Sequence, residues 1–224
     1  MQNQVLPKSP ISQTFCSRQL YLYVFGVVRH RGCGQDQRKE DIHIFTWLES
    51  ENKKDSNMVA SALQYYLGSV VQHELRKHSI LRLFSDSCYG QNKNISVLSM
   101  LFALRNQKFK DLSINYTFPV RGHSFLPPDR VFGRLEQEIK KDAILLPSEY
   151  LEIMERHGNL SNVRILEICG KVGCKQQYTG DFCYHSVLKC GKKWDTFKPA
   201  VAPRINCVKK EKKADVLKLL GKIE

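Results

Sequence analysis

The chain has 224 residues, 42% hydrophobic and 25% charged, enough to bury one α/β domain of ordinary size with an extension. No run approaches the ~18–20 apolar residues of a membrane span, and Met1-Gln2-Asn3-Gln4 is not the basic start of a secretory signal. The formal net charge of +13 points to a polyanionic partner, of which nucleic acid is the commonest inside cells. The charge is uneven, because Lys189 to Glu224 holds eleven basic and four acidic residues, a net of +7. That tail equally suits a solvated extension. Eight cysteines without a Cys-x-x-Cys pair suit a reduced compartment. Cys169, Cys174, Cys183, His185 and Cys190 are close in sequence, but their spacing fits no standard zinc module.

From Arg18 to Val28 the residues are aromatic and β-branched without helical periodicity, the pattern of a buried strand. A turn rich in Gly and charge over 30–40 leads to a second strand, Asp41 to Glu49, and the two predict a hairpin. Ser56 can cap a helix over about Asn57 to Leu75, with Val59, Leu63, Tyr66, Leu67 and Val70 on one face. Ser79 to Asp86 is a short apolar run ending in a carboxylate. A polar loop then leads to a helix over about Ile95 to Arg105. Ser113 to Val120 reads as the next strand. The following helix runs from about Arg130 to Lys141, with Asp129 as N-cap behind two prolines. Pro147-Ser148 opens a helix to about His157. Short strands over Val163 to Cys169 and Tyr184 to Leu188 precede a basic helix from Lys209. This order of strands and helices is α/β: an antiparallel hairpin feeding strands that alternate with helices.

Catalytic and ligand-binding groups of open α/β sheets gather beyond the carboxyl ends of strands. Asp86 and the loop from Gly122 to Asp129 occupy such ends, which brings Asp86, His123 and Asp129 toward one expected site. Glu136 follows Asp129 by two helical turns on the same face. Converging carboxylates are how proteins hold Mg²⁺, and a metal pair can clamp the oxygens of a phosphoryl transfer. Gln91, Asn92, Lys93 and Asn94 crowd the strand end beside Asp86 as candidate substrate contacts, as does Arg130. Each has a plainer role available: Asp86, Asn92 and Asn94 as loop or helix caps, Asp129 as N-cap, Glu136 as a surface acid, His123 as a backbone partner. Glu49, at the end of its strand, is a weaker candidate.

Three stretches carry a resemblance: Phe15-Cys16-Ser17-Arg18-Gln19-Leu20, Ser85-Asp86-Ser87-Cys88-Tyr89-Gly90-Gln91-Asn92-Lys93-Asn94, and Gly122-His123-Ser124-Phe125-Leu126-Pro127-Pro128-Asp129 running on to Glu136. They resemble a transposon-derived domain of unknown function widespread in uncharacterised insect and cnidarian proteins, over about residues 5 to 160. The resemblance implies a ribonuclease-H-like mixed sheet with a transposase-type set of acids. Asp86 would be the acid on the fourth strand, and Asp129 or Glu136 the acid on the helix after the fifth. The family's first strand and its Asp have no counterpart here, since no Asp precedes Asp36. The chain also looks truncated at its C-terminus. The expected organisation is therefore a ribonuclease-H-like domain over 1–160 lacking its first strand, with a basic β/helical extension over 161–224.

Two functions compete. One is a metal-dependent nuclease or transposase-like domain acting on DNA, using Mg²⁺ at Asp86, Asp129 and Glu136 and impaired by the missing acid. The other is a non-catalytic nucleic-acid or protein-binding module of domesticated-transposon origin, or a gene fragment without a selected role. No helix-turn-helix or zinc finger is apparent. The basic run Lys209-Lys210-Glu211-Lys212-Lys213 leads to the expectation of a nuclear protein, with the cytoplasm as the alternative.

Overall fold

Backbone pairing between the aromatic, β-branched strands organises the first part of the chain. A computed structural model describes residues 2–9, 17–32, 36–120, 126–161 and 208–220. Its elements are β1 (Gln2–Leu6), β2 (Leu20–Val28), β3 (Ile42–Leu48), α1 (Ser56–Tyr65), β4 (Ile80–Phe84), α2 (Ile95–Lys108), β5 (Ser113–Thr117), α3 (Pro127–Ile139), α4 (Pro147–His157), β6 (Asn159–Ser161) and α5 (Lys210–Leu220), with short helical turns between some of them. The fold is mixed α/β. The strands expected over Val163 to Cys169 and Tyr184 to Leu188 lie outside the described residues, and no helix among those described is long and apolar enough to cross a membrane. Contacts divide the chain into two compact units: Met1–Lys53, Phe125–Val163 and Arg204–Glu224 form the first, and Lys54–Ser124 with Arg164–Pro203 form the second.

In the first unit the strand order is β1-β2-β3-β6. The expected hairpin is present, with Tyr23 opposite Trp47 and Phe25 opposite Phe45. Their rings pack with centroids 5.8 Å and 6.3 Å apart, the cross-strand contact that favours aromatic residues in sheets. No strand is expected ahead of Arg18 from the sequence pattern. Gln2–Leu6 nevertheless pairs antiparallel with β2, Gln2 opposite Val24 and Leu6 opposite Leu20. Polar Gln2, Asn3 and Gln4 carry no strand signal of their own; the pairing supplies it.

Alternation along β2 sends Leu22 and Val24 to one face and Tyr23 and Phe25 to the other, and all four are buried. On the first face α3 and α4 add Val131, Phe132, Leu135, Ile139, Tyr150 and Met154 to the core. Gly26 permits this contact, because a Cβ there would lie 3.0 Å from Cζ of Phe132. After α4, Gly158 leads into β6, which runs parallel to β3. A Cβ on Gly158 would meet Cγ2 of Ile42 at 2.7 Å and its carbonyl oxygen at 2.9 Å. The basic helix α5 rests on the same unit through Lys212 to Glu49, Arg18 to Asp215, and buried Leu219. Glu49 is thereby engaged, as it also accepts the Tyr21 backbone N–H.

The second unit holds β4 and β5, a parallel pair with Ile80 opposite Ser113 and Phe84 opposite Thr117. Helices α1 and α2 pack together, burying Met58, Val59 and Ala62 on one and Val97, Met100 and Leu104 on the other. The cap of α1 is Asp55 rather than the expected Ser56, its Oδ1 accepting from Asn57 N and Met58 N at 3.0 and 3.2 Å. A charged acceptor at the positive end of a helix is favoured over a hydroxyl. The single helix expected to Leu75 changes to a π turn at Tyr66–Val70. Lys108 Nζ donates to Gly68 O at 3.1 Å, drawing that carbonyl away from the helical ladder in the way inserted side chains do.

At the start of β3, Asp41 is fully buried and bound by Arg29 Nε at 2.9 Å, by Arg31 Nε, and by Arg38 N at 3.2 Å. Burial pushes its carboxyl up, but the hydrogen bonds from Arg31, Arg29 and the Arg38 backbone, with the Arg31 charge, prevail and bring it down to about 2 from 3.8. A lowered folded value means the stabilisation is complete above the unfolded value and disappears as protons are added. Stability of the first unit is expected to fall between pH 4 and 2 in acid titrations followed by near-ultraviolet circular dichroism, with Asp41→Asn flattening that segment of the curve. In urea denaturation Gly158→Ala is expected to destabilise by ~1–3 kcal/mol through overpacking. Gly133→Ala, exposed on α3 with no heavy atom near its Cβ position, is expected to stabilise by ~0.5–1 kcal/mol.

Candidate functional site

β4 ends at Phe84, and the chain turns into the polar loop Ser85 to Asn94 before α2 begins. Asp86 sits at the head of this loop. Its Oδ1 accepts from Asn92 Nδ2 at 2.6 Å and from Cys88 N at 3.3 Å. Asn92 is buried, so its amide clamps the carboxylate from inside the loop. The turn is closed by Gln91 N and Lys93 N, both donating to Cys88 O, at 3.2 and 2.9 Å. Asn94 is the N-cap of α2, with Oδ1 accepting from Ser96 N at 3.0 Å and Nδ2 donating to Tyr89 O at 3.0 Å. Asn92 and Asn94 thus shape the loop.

β5 supplies the second wall. Tyr116 hydroxyl and Ser85 Oγ share a hydrogen bond of 2.9 Å. Burial, opposed by that bond and reinforced by the charge of Asp86, pushes the Tyr116 hydroxyl up to about 12. Tyr116 and Phe118 pack with centroids 4.3 Å apart. Lys93 Nζ lies 5.2 Å from the centre of the Tyr89 ring and 5.5 Å from that of Phe118, both within cation–π range. Tyr89 is 58% exposed. Lys54 belongs to the same unit; burial lowers its ammonium, and the charge of Asp86 opposes that shift. Charge and aromatic surface therefore meet at one strand end.

Of the residues expected from sequence, Asp86, Gln91, Asn92, Lys93 and Asn94 share this loop. Asp129, Arg130 and Glu136 lie on α3, in the other unit. Asp129 is not the N-cap but the third residue of its helix. Pro127 and Pro128 fill the first two positions, where proline's missing N–H is harmless, and Asp129 Oδ2 accepts from Leu126 N at 2.8 Å. Glu136 Oε1 accepts from Gln2 Nε2 of β1 at 3.1 Å. Arg130 is exposed on the first turn of α3. His123 lies outside the described residues.

Tyr89, Phe118, Tyr116, Ser85 and Lys54 are not among the candidates expected from sequence. Tyr89 had a signal, an aromatic residue within a loop of Gly, Asn and Lys. The other four are brought in by the second strand or by the packing of Lys54.

A Mg²⁺ site requires several oxygen ligands at one point. Among the described residues no group of three His, Cys, Asp or Glu side chains is placed to hold a metal. Asp86 spends one oxygen on Asn92 and Cys88, and an ammonium stands in its electrostatic neighbourhood. The described donors do not fit a closed metal centre.

This is a mixed α/β protein with a polar loop at the end of one strand. The chain belongs to the family described as a domain of unknown function, DUF7869, whose model matches residues 13–187 and so takes in both the Asp86 loop and α3. No curated protein and no solved structure matches the chain.

The bonding predicts a graded response in urea denaturation. Asn92→Ala leaves a charged acceptor short of a donor and is expected to destabilise by ~1.5–3 kcal/mol. Asn94→Ala, which removes the cap of α2, is expected to destabilise by ~1 kcal/mol, and Gln91→Ala by less than ~0.5 kcal/mol.

Proposed function

We propose that this chain is a nucleic-acid-binding module of ribonuclease-H-like, transposase-type ancestry that works without a complete metal site. The observation that carries the binding role is the Lys93 ammonium of the Asp86 loop, within cation–π range of the rings of both Tyr89 and Phe118. A cation attracts phosphate, and an exposed aromatic face accepts a stacked base whatever its sequence, at ~1–3 kcal/mol per base. With a net charge of +13, long-range attraction brings DNA to the protein and the loop gives it a specific contact. Asp86, beside them, excludes phosphate from its own position and turns the strand toward Lys93. The ancestry rests on the antiparallel hairpin followed by the parallel pair β4 and β5 and on Asp86 at a strand's carboxyl end. A nuclear location belongs to the same reading and rests on the basic charge.

A metal-dependent nuclease is the second reading, favoured by the position of Asp86 alone. The two separate in one set of measurements on the full chain with a fluorescent single-stranded DNA. Binding is expected to weaken steeply with salt, Tyr89→Ala is expected to reduce affinity about tenfold, and Lys93→Ala is expected to lower the salt slope by about 0.7. Incubation with Mg²⁺ or Mn²⁺ is expected to yield no cleavage that Asp86→Ala abolishes. Asp86-dependent cleavage would establish the nuclease instead, and salt-insensitive or absent binding would sink both readings.

A further inference from the structure

The loop end of the β2–β3 hairpin, in the first unit, gathers two guanidinium groups around one carboxylate. One buried carboxylate, Asp41, is held by two guanidinium groups, and each uses its Nε. One arginine neutralises one aspartate. The second leaves the centre with one positive charge in excess, and two like charges beside one anion repel each other. The Arg29 and Arg31 side chains are 35% and 26% exposed, whereas that of Asp41 is 0% exposed. The excess charge therefore faces solvent while the compensating acid does not. Arg38 and Lys39, both exposed, lie on the same turn with the exposed acids Asp36 and Glu40, so residues 29–41 carry four basic and three acidic side chains.

Geometry adds to charge. A guanidinium is a planar fork, and one that spends Nε on a fixed carboxylate still has its Nη donors. Arg31 has no hydrogen bond among the described residues other than that Nε contact. Its fork is held in direction by a rigid partner, whereas a lysine on a flexible stem must be ordered on binding. Ordering done in advance is the cost that pre-organised sites avoid, and paired Nη donors match the oxygens of a phosphate.

We propose that the loop end of the β2–β3 hairpin is a phosphate-binding site in which the buried Asp41 carboxylate orients the Arg31 guanidinium, with Arg29 beside it as the second cation. Its ligand is a phosphate group, either of a nucleic-acid backbone or of a small phosphorylated molecule. The site is separate from the Asp86 loop and does not depend on the role assigned to that loop.

The test is nuclear magnetic resonance of the full chain labelled with ¹⁵N-arginine, reading the Arg29 and Arg31 Nε–Hε signals. Sodium pyrophosphate is titrated at constant ionic strength, and a short single-stranded oligonucleotide is titrated separately. Pyrophosphate is expected to move the Arg31 signal saturably. Arg31→Gln and Arg31→Lys are both expected to weaken binding by about tenfold, since lysine keeps the charge but not the fork. The Arg29 Nε–Hε signal in each variant reports that Asp41 and its hairpin remain folded. An Arg31 signal that pyrophosphate leaves in place overturns the proposal, as does Arg31→Lys binding as tightly as the wild type. If the oligonucleotide also moves Arg31, the phosphate belongs to nucleic acid. If pyrophosphate moves it and the oligonucleotide does not bind at all, the ligand is a small phosphate compound; this site stands, and the function proposed for the Asp86 loop falls.

Discussion

The buried carboxylate of Asp41 is the constraint on which the first unit depends. Burying a charge is unfavourable by several kcal/mol unless it is paired and fully hydrogen-bonded, and Asp41 is both. Two of its donors, Arg29 and Arg31, follow β2, while Asp41 itself leads into β3. The ion cluster therefore ties the end of one strand to the start of the next, reinforced by Arg29 N donating to Asp41 O at 2.8 Å. That tie supports the register in which Val28 opposes Ile42. A slip of one residue would turn each side chain to the other face of the sheet, so the same register decides which residues meet α3 and α4. β1 and β6 are then added to the outer edges of an established hairpin.

The second unit solves a different problem, that of holding a polar loop at the end of a short strand. Asn92 turns inward to bind Asp86, Asn94 caps α2, and Ser85 reaches Tyr116 across the parallel pair. The loop is rigid where its polar groups are paired and open where Tyr89 stands exposed. A framework of satisfied hydrogen bonds presents one aromatic face and one cation at the strand end.

The acids proposed from sequence show how one residue type can serve different ends. Asp86, Asp129 and Glu136 all resemble members of a catalytic set when read along the chain. In the fold Asp129 closes the first turn of α3 and Glu136 receives the side-chain amide of Gln2, two roles that local bonding explains. Asp86 alone lies in a loop where cationic and aromatic groups gather. Membership of the DUF7869 family accounts for the shared motifs without assigning an activity to them.

Local periodicity and composition were enough to read the hairpin, the helices after Ile95 and Pro147, the parallel-strand alternation and the crowding of polar residues around Asp86. These features depend on neighbours within a few positions, where side-chain spacing encodes the conformation directly. Tertiary structure alone decided the pairing of polar β1, the π turn at Tyr66–Val70, the inward turn of Asn92 and the placing of Lys93 against Phe118. Each depends on a partner distant in sequence or on competition for burial: Lys108 lies 40 positions from Gly68, and Glu136 lies 134 from Gln2. A sequence states which groups can donate, accept or stack; which of them meet is settled by the packing that brings their strands and helices together.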